Sequence, residues 1–126
     1  MFDPTLVRFG DWTMASGHAA ASEFLALPQR PTALFSMNDE MAIGAIQATT
    51  AVGLRVPHDM AITGFDDISF AAHSTPSLTT IAQPAEAMGA KACEILIDRI
   101  EGKSADDTVH VLPHELIVRQ SSMPTI

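Results

Sequence analysis

One cysteine, Cys93, stands in the 126 residues, so no disulfide can close within the chain. It falls on the apolar side of a helix-forming stretch and reads as a small buried hydrophobe rather than a reactive thiol. Free-cysteine usage of this kind fits a cytosolic setting. Basic residues are also scarce: seven Lys and Arg stand against fifteen Asp and Glu, a formal net charge of -8. Nucleic-acid affinity comes largely from Lys and Arg neutralising phosphates. With no basic run, the chain by itself is a poor DNA binder. No apolar stretch nears the roughly 18 residues needed to span a bilayer. The opening MFDPTLVRFGDW lacks the charged start and long apolar run of a secretory signal. HExxH, GxSxG, P-loop and GxGxxG patterns are all missing. One cysteine cannot build a structural zinc site, and His110 and His114 merely flank Pro113. No metal and no cofactor are expected.

Hydrophobic residues make up 47% and charged residues 17%, which suits one folded domain with one core. Leu6–Phe9 reads as a short strand ending at Gly10. Thr13–Leu27 reads as a helix, with Met14, His18, Ala21, Phe24 and Leu25 on one face and Pro28 and Pro31 stopping it. Thr32–Met37 is a strand apolar on both parities, as one covered on both faces would be. Asn38 caps a helix whose inner face is Ala42, Ala45, Ile46 and Thr49, and Gly53 closes it. Met60–Phe65 is a further strand, Ser69–His73 a helical turn, and Leu78–Gln83 a β-rich run. Pro84 opens a helix reaching Glu101, with Gly102 after it. Val109–Leu112 and Glu115–Arg119 are strand candidates, and Ser121–Ile126 reads as a loose tail. Alternating strands and helices specify an α/β fold with a parallel sheet.

In open α/β sheets, ligands bind just beyond the carboxyl ends of the strands. Three such ends carry Asp11-Trp12, Asn38-Asp39 and Asp66-Asp67. A parallel sheet places them along one rim. That mixture suits a polyhydroxylated ligand: Trp12 to stack on an apolar C–H face, Asn38 to donate and accept, Asp66 to accept from hydroxyls. Each residue also has a plainer role. Asn38 and Asp39 are good helix caps, Asp66-Asp67 can be a solvated turn, and a lone Trp is often packing. Their common position after three strands favours binding. Catalysis by Asp66 or Asp67 fits less well, because adjacent side chains tend to diverge and an acid–base pair needs converging groups.

The segment PTALFSMNDEMAIGAIQATTAVGLRVPHDMAITGFDD, Pro31–Asp67, resembles the effector-binding core of LacI/GalR-type transcription repressors. The likeness extends through GDWTMASG (Gly10–Gly17), PSLTTIAQPAEAMG (Pro76–Gly89) and, more weakly, LPHELIVRQSS (Leu112–Ser122). The resemblance implies a periplasmic-binding-protein-like fold of two α/β subdomains, of which this chain is an incomplete three-layer piece. Residues 1–83 and 108–122 would form the C-terminal effector-binding subdomain. Residues 84–107, a crossover helix and loop, would belong to the opposite subdomain, leaving that helix without its partner.

By the same resemblance, Trp12, Asn38, Asp66 and the hinge-side Gln83 are expected to contact the effector, a sugar or related polar metabolite. Asp39 and Asp67 are expected to be structural. A homodimer is expected through the helix after Asn38 and the segment near Ile68–Thr75, with Ile43, Ile46 and Phe70 at the interface, simple core packing being an equal alternative for Ile43. Ala85 stands where some relatives place an aromatic, and His73 where many have Tyr, which leaves the effector open. The helix-turn-helix, the linker, the other subdomain and an effector-binding Arg of a full member are absent, so Met1 reads as a start inside a longer chain. The expected role is a cytoplasmic effector sensor that touches DNA only through that N-terminal region, contacts no membrane and catalyses nothing. The alternative is a transporter's periplasmic sugar-binding protein.

Overall fold

The computed structural model describes residues 3–103 and 109–123. The chain divides into two compact units, one holding Gln83–Glu115 and the other the residues on either side of it.

In the larger unit, helix α1 (Met14–Leu25) leads to strand β1 (Ala33–Phe35), helix α2 (Asp39–Ala51) and strand β2 (Ala61–Thr63). Strand β3 (Thr80–Ala82) follows a short 3-10 turn, Ser69–Ala72, and neighbours β4 (Glu115–Ile117). β1 and β2 run parallel, with Ala33 opposite Ala61 and Phe35 opposite Thr63. Parallel bridges Thr63–Thr79 and Asp66–Ala82 extend the same direction toward β3. Parallel neighbours need a long crossover, which α2 supplies between β1 and β2.

The two helices start and stop on local signals. Thr13 caps α1, its Oγ1 accepting from the Ser16 N–H at 3.2 Å. Asn38 caps α2 in the same way through Met41. At the far end of α2, Gly53 takes φ +80, the Gly53 N–H donates to the Thr50 carbonyl and the Leu54 N–H to the Thr49 carbonyl. This double closure satisfies carbonyls that the helix leaves open.

α1 and α2 pack together through glycine. A Cβ on Gly44 would collide with the Met14 carbonyl, and one on Gly17 with the Met41 backbone. Small residues at facing positions bring the two backbones close. The inner side of α2 then joins Ala21, Met60, Ile62, Ala71 and Leu78 in one buried cluster. Ala42, Ala45, Ile46 and Thr49 are all buried, as the helical spacing requires.

Several expectations need correction. Leu6–Phe9 forms no strand: a 3-10 turn covers Pro4–Leu6, and Phe9 is 97% exposed. Pro4 at the start of that turn and the Asp3 cap favour the turn locally, and no ladder recruits the residues beyond it. An apolar cavity of about 540 Å³ separates Leu6 and Val7 from Phe24, Leu34 and Phe35. β1 is accordingly not covered on both faces, since Ala33 and Phe35 are exposed. Ser121 is not loose. It is fully buried, its Oγ donating to the Ile62 carbonyl at 2.6 Å and accepting from the Thr79 N–H at 2.8 Å. Pro124–Ile126 lie outside the described residues, as do 104–108 of the expected loop.

Ile43 and Ile46 are 3% and 4% exposed and belong to the chain's own core. They have almost no surface to offer a second copy, which corrects their placement at a dimer interface. Of the three residues named for that role, only Phe70 is open, at 52%.

The smaller unit is built on helix α3 (Ala85–Ile100), with Glu101 as its C-cap. Gly102 at φ +68 closes it by the same double bond as Gly53, through Arg99 and Asp98. No residue of α3 is buried. Cys93 is therefore exposed, not the buried hydrophobe its position suggested. Val109 and Val111 are exposed and pair with no strand. No helix is long and apolar enough to cross a membrane among the described residues.

Candidate ligand-binding site

The in-register pairing of Phe35 with Thr63 brings two strand ends level. Asn38 lies three positions beyond Phe35, and Asp66 three beyond Thr63. Both therefore leave the sheet at the same end, where α/β sheets bind ligands.

Asn38 is 8% exposed and uses both ends of its amide. Its Oδ1 accepts from the Met41 N–H at 3.0 Å, and its Nδ2 donates to the Trp12 carbonyl at 2.9 Å. These partners fix the amide orientation, because the flipped form would set donor against donor and acceptor against acceptor. A single side chain thus caps α2 and ties the loop before α1 to the end of β1.

Trp12 has φ +72. The left-handed region costs a residue with a Cβ about 1–2 kcal/mol, so neighbours must hold it there. Asp11 Oδ1 accepts from both the Thr13 N–H at 3.2 Å and the Thr13 hydroxyl at 2.6 Å. These bonds, the side-chain one foremost, hold the Asp11 carboxyl below the ordinary aspartate range. The turn between them leaves Trp12 60% exposed. A rigid backbone thereby presents an open aromatic surface.

Asp66 and Asp67 also have positive φ, +114 and +55. Three anchors hold that turn. The Asp66 N–H donates to the Ile81 carbonyl at 2.9 Å. Asp67 Oδ1 accepts from Arg119 Nη1 at 2.7 Å. The Ile68 N–H donates to Asp39 Oδ2 at 2.9 Å.

Asp39 is fully buried, and its Oδ1 accepts from the Thr80 hydroxyl at 2.5 Å. Burial pushes its pKa up, the bonds from Thr80 and Ile68 oppose that, and the charges of Asp66 and Asp67 add to the rise. Gly64 makes room for it, since a Cβ there would strike Asp39 Oδ1. Asp39 is thus enclosed among polar partners and cannot reach a ligand. Asp67 is engaged by Arg119, which weighs against an acid–base pair with Asp66. Gln83 is the first residue of the smaller unit and half-buried, its carbonyl accepting from the Ala85 N–H at 2.9 Å. The described residues contain no group of three or more His, Cys, Asp or Glu placed to hold a metal ion.

Sequence reasoning missed Arg119, Thr80 and Ser121. Arg119 also donates to the Leu78 carbonyl at 2.9 Å, so it clamps the Asp66-Asp67 turn to β3. Its signal was a lone cation closing an apolar strand-like run, with nothing local to pair it with the distant Asp66-Asp67. Thr80 and Ser121 had none.

The family model described as a periplasmic binding protein-like domain matches residues 4–122. The transcriptional repressor CytR of Escherichia coli (strain K12) is 40% identical over 122 residues, covering 97% of this chain and 36% of the repressor. The chain thus spans little more than a third of that relative. The solved complex of the transcriptional regulator CelR with cellobiose superposes with a TM-score of 0.90 at 40% identity, over 97% of this chain and 37% of CelR. The lac repressor dimer bound to operator and the anti-inducer ONPF gives 0.84 at 33% identity, over 90% and 40%. With a family match across almost all its residues, the chain belongs to the periplasmic binding protein-like domains, in the form carried by LacI-type transcriptional regulators.

Proposed function

We propose that this chain is the effector-sensing portion of a LacI-type transcriptional repressor, with Trp12, Asn38 and Asp66 facing a small polar ligand. The observation that carries the reading is the Asn38–Trp12 bond, which ties the backbone of the exposed Trp12 to the residue that leaves β1 at the same sheet end as Asp66. An aromatic face with a carboxylate nearby suits a sugar or a related polyhydroxylated metabolite. The regulator CelR, similar over nearly the whole chain, is solved with cellobiose. Binding alone is enough for the role: a ligand that favours one of two states shifts their balance. No catalytic step is needed for it, and the engagement of Asp67 by Arg119 weighs against an acid–base pair of Asp66 and Asp67. We place the protein in the cytoplasm, as a homodimer, with DNA contacted only by the N-terminal region that its relatives carry. The similarity to repressors favours this over a transporter's binding protein.

We expect weak binding of such a ligand at this rim. A thermal-shift series with cellobiose, other sugars and nucleobases tests this. Ligand at ten times its Kd adds about 1.4 kcal/mol. The expected result is a rise in Tm with at least one of these compounds, lost on Asp66→Asn. A rise that persists unchanged in that variant removes Asp66 from the site.

A further inference from the structure

We infer that Asn38 is, beyond facing the ligand itself, a positioning residue for Trp12, acting on the ligand through the backbone of that tryptophan. The inference rests on the reading of Trp12 as the ligand-facing aromatic.

Three observations carry it. Both ends of the Asn38 amide are already engaged, Oδ1 by Met41 and Nδ2 by Trp12. The residue is 8% exposed, whereas Trp12 is 60% exposed. Trp12 also holds a left-handed backbone, φ +72, that a residue with a Cβ rarely adopts. Its own turn supplies local bonds, from Thr13 to Asp11 and between Ser16 and both of its neighbours Asp11 and Thr13. A long-range side-chain bond to this backbone comes from Asn38, 26 residues away. Asn38 further starts α2, so the Trp12 backbone and the α2 N-terminus are joined through one amide.

The chemistry separates the two duties of Asn38. Asp at this position still accepts from the Met41 N–H but sets a carboxylate oxygen against the Trp12 carbonyl. Ser still caps a helix but is too short to reach that carbonyl. Either change keeps the cap and loses the tether.

Trp12 is the chain's single tryptophan, so its fluorescence reports on this residue alone. Time-resolved anisotropy on Asn38→Ser and Asn38→Asp reads the indole's fast motion without any ligand. The expected result is a roughly twofold larger sub-nanosecond amplitude, the range of free side-chain motion, with helix content by circular dichroism retained. An anisotropy decay equal to that of the unmodified chain overturns the inference.

A double-mutant cycle guards against loss of fold. Glycine tolerates φ +72 without strain, so in a Trp12→Gly background the tether matters less. Asn38→Ser should lower Tm about half as much there as in the parent, or less. Equal Tm losses in both backgrounds overturn the inference, whatever the fluorescence shows. Titrating the unmodified chain with cellobiose separates the premise: unchanged Trp12 emission counts against the ligand reading and leaves the tether itself intact.

Discussion

The guanidinium of Arg119 donates to the carboxylate of Asp67 at 2.7 Å, joining residues 52 positions apart. Both side chains are largely sheltered from water, and the same Nη1 also reaches the Leu78 carbonyl. The pair holds a turn in which Asp66 and Asp67 both adopt positive φ. Arg119→Ala removes the donor from both oxygens and should destabilise the chain by about 1–2 kcal/mol. Arg119→Lys should recover only part, because an ammonium lacks the planar fork. Urea unfolding of the three proteins measures this. Equal stabilities would mean the pair contributes nothing.

Asp39 gives stability a definite pH dependence. Burial, with the charges of Asp66 and Asp67 adding to it, raises its native pKa above the ordinary value. The native state therefore keeps a proton that the unfolded chain has already released. By linkage, the Asp39 contribution falls as pH rises from the ordinary aspartate range through the raised native value. Asp39→Asn has no such proton. The unfolding free energy of the parent minus that of Asp39→Asn should shrink as pH rises above the ordinary aspartate range. A difference that stays level or grows contradicts the raised pKa.

The α1–α2 contact depends on Gly44. Its missing side chain admits the Met14 carbonyl and the His18 N–H, both backbone groups that cannot swing aside. Gly44→Ala should cost about 1–3 kcal/mol through overpacking, despite alanine's better helix propensity. Gly53→Ala, which meets no atoms but sits at φ +80, tests the conformational effect alone. A stabilised Gly44→Ala variant would show that the helices separate at little cost.

Local rules were legible and distant partners were not. Asn38 and Gly53 could be assigned from sequence because caps depend on a few neighbouring residues. The level ends of β1 and β2 followed from the strand–helix–strand order. Leu6–Phe9 has strand-like residues, but a strand exists only with a neighbour to pair with. Ser121 and Asp39 take their meaning from Ile62, Thr79 and Thr80, 41 to 59 residues away, and no local pattern marks them. Ile43 and Ile46 show a different failure. Spacing identified the inner face of α2, but the helix is buried around more of its circumference than that face, so Ile43 and Ile46 were not free for a second copy. The converse holds for Cys93: its helix has an apolar side, but that side is not buried.

With Ile43 and Ile46 in the core, Phe70 carries the proposed self-association. Phe70→Glu places a charge on a half-open surface and should change stability by less than about 0.5 kcal/mol. Sedimentation should show a lower average mass for this variant than for the parent. Unchanged mass would exclude Phe70 from any interface between copies.

The most direct test of the rim is amide and indole NMR of the labelled chain during titration with cellobiose and a panel of other sugars and nucleosides. Weak binding of the kind proposed corresponds to dissociation constants near the millimolar range, or about 4 kcal/mol of binding free energy. The account predicts shift changes that concentrate on the Trp12 indole, the Asn38 side-chain amide and the Asp66 backbone, and that vanish together in Trp12→Ala. Saturable shifts confined to residues away from these three, with the rim unmoved, would contradict it.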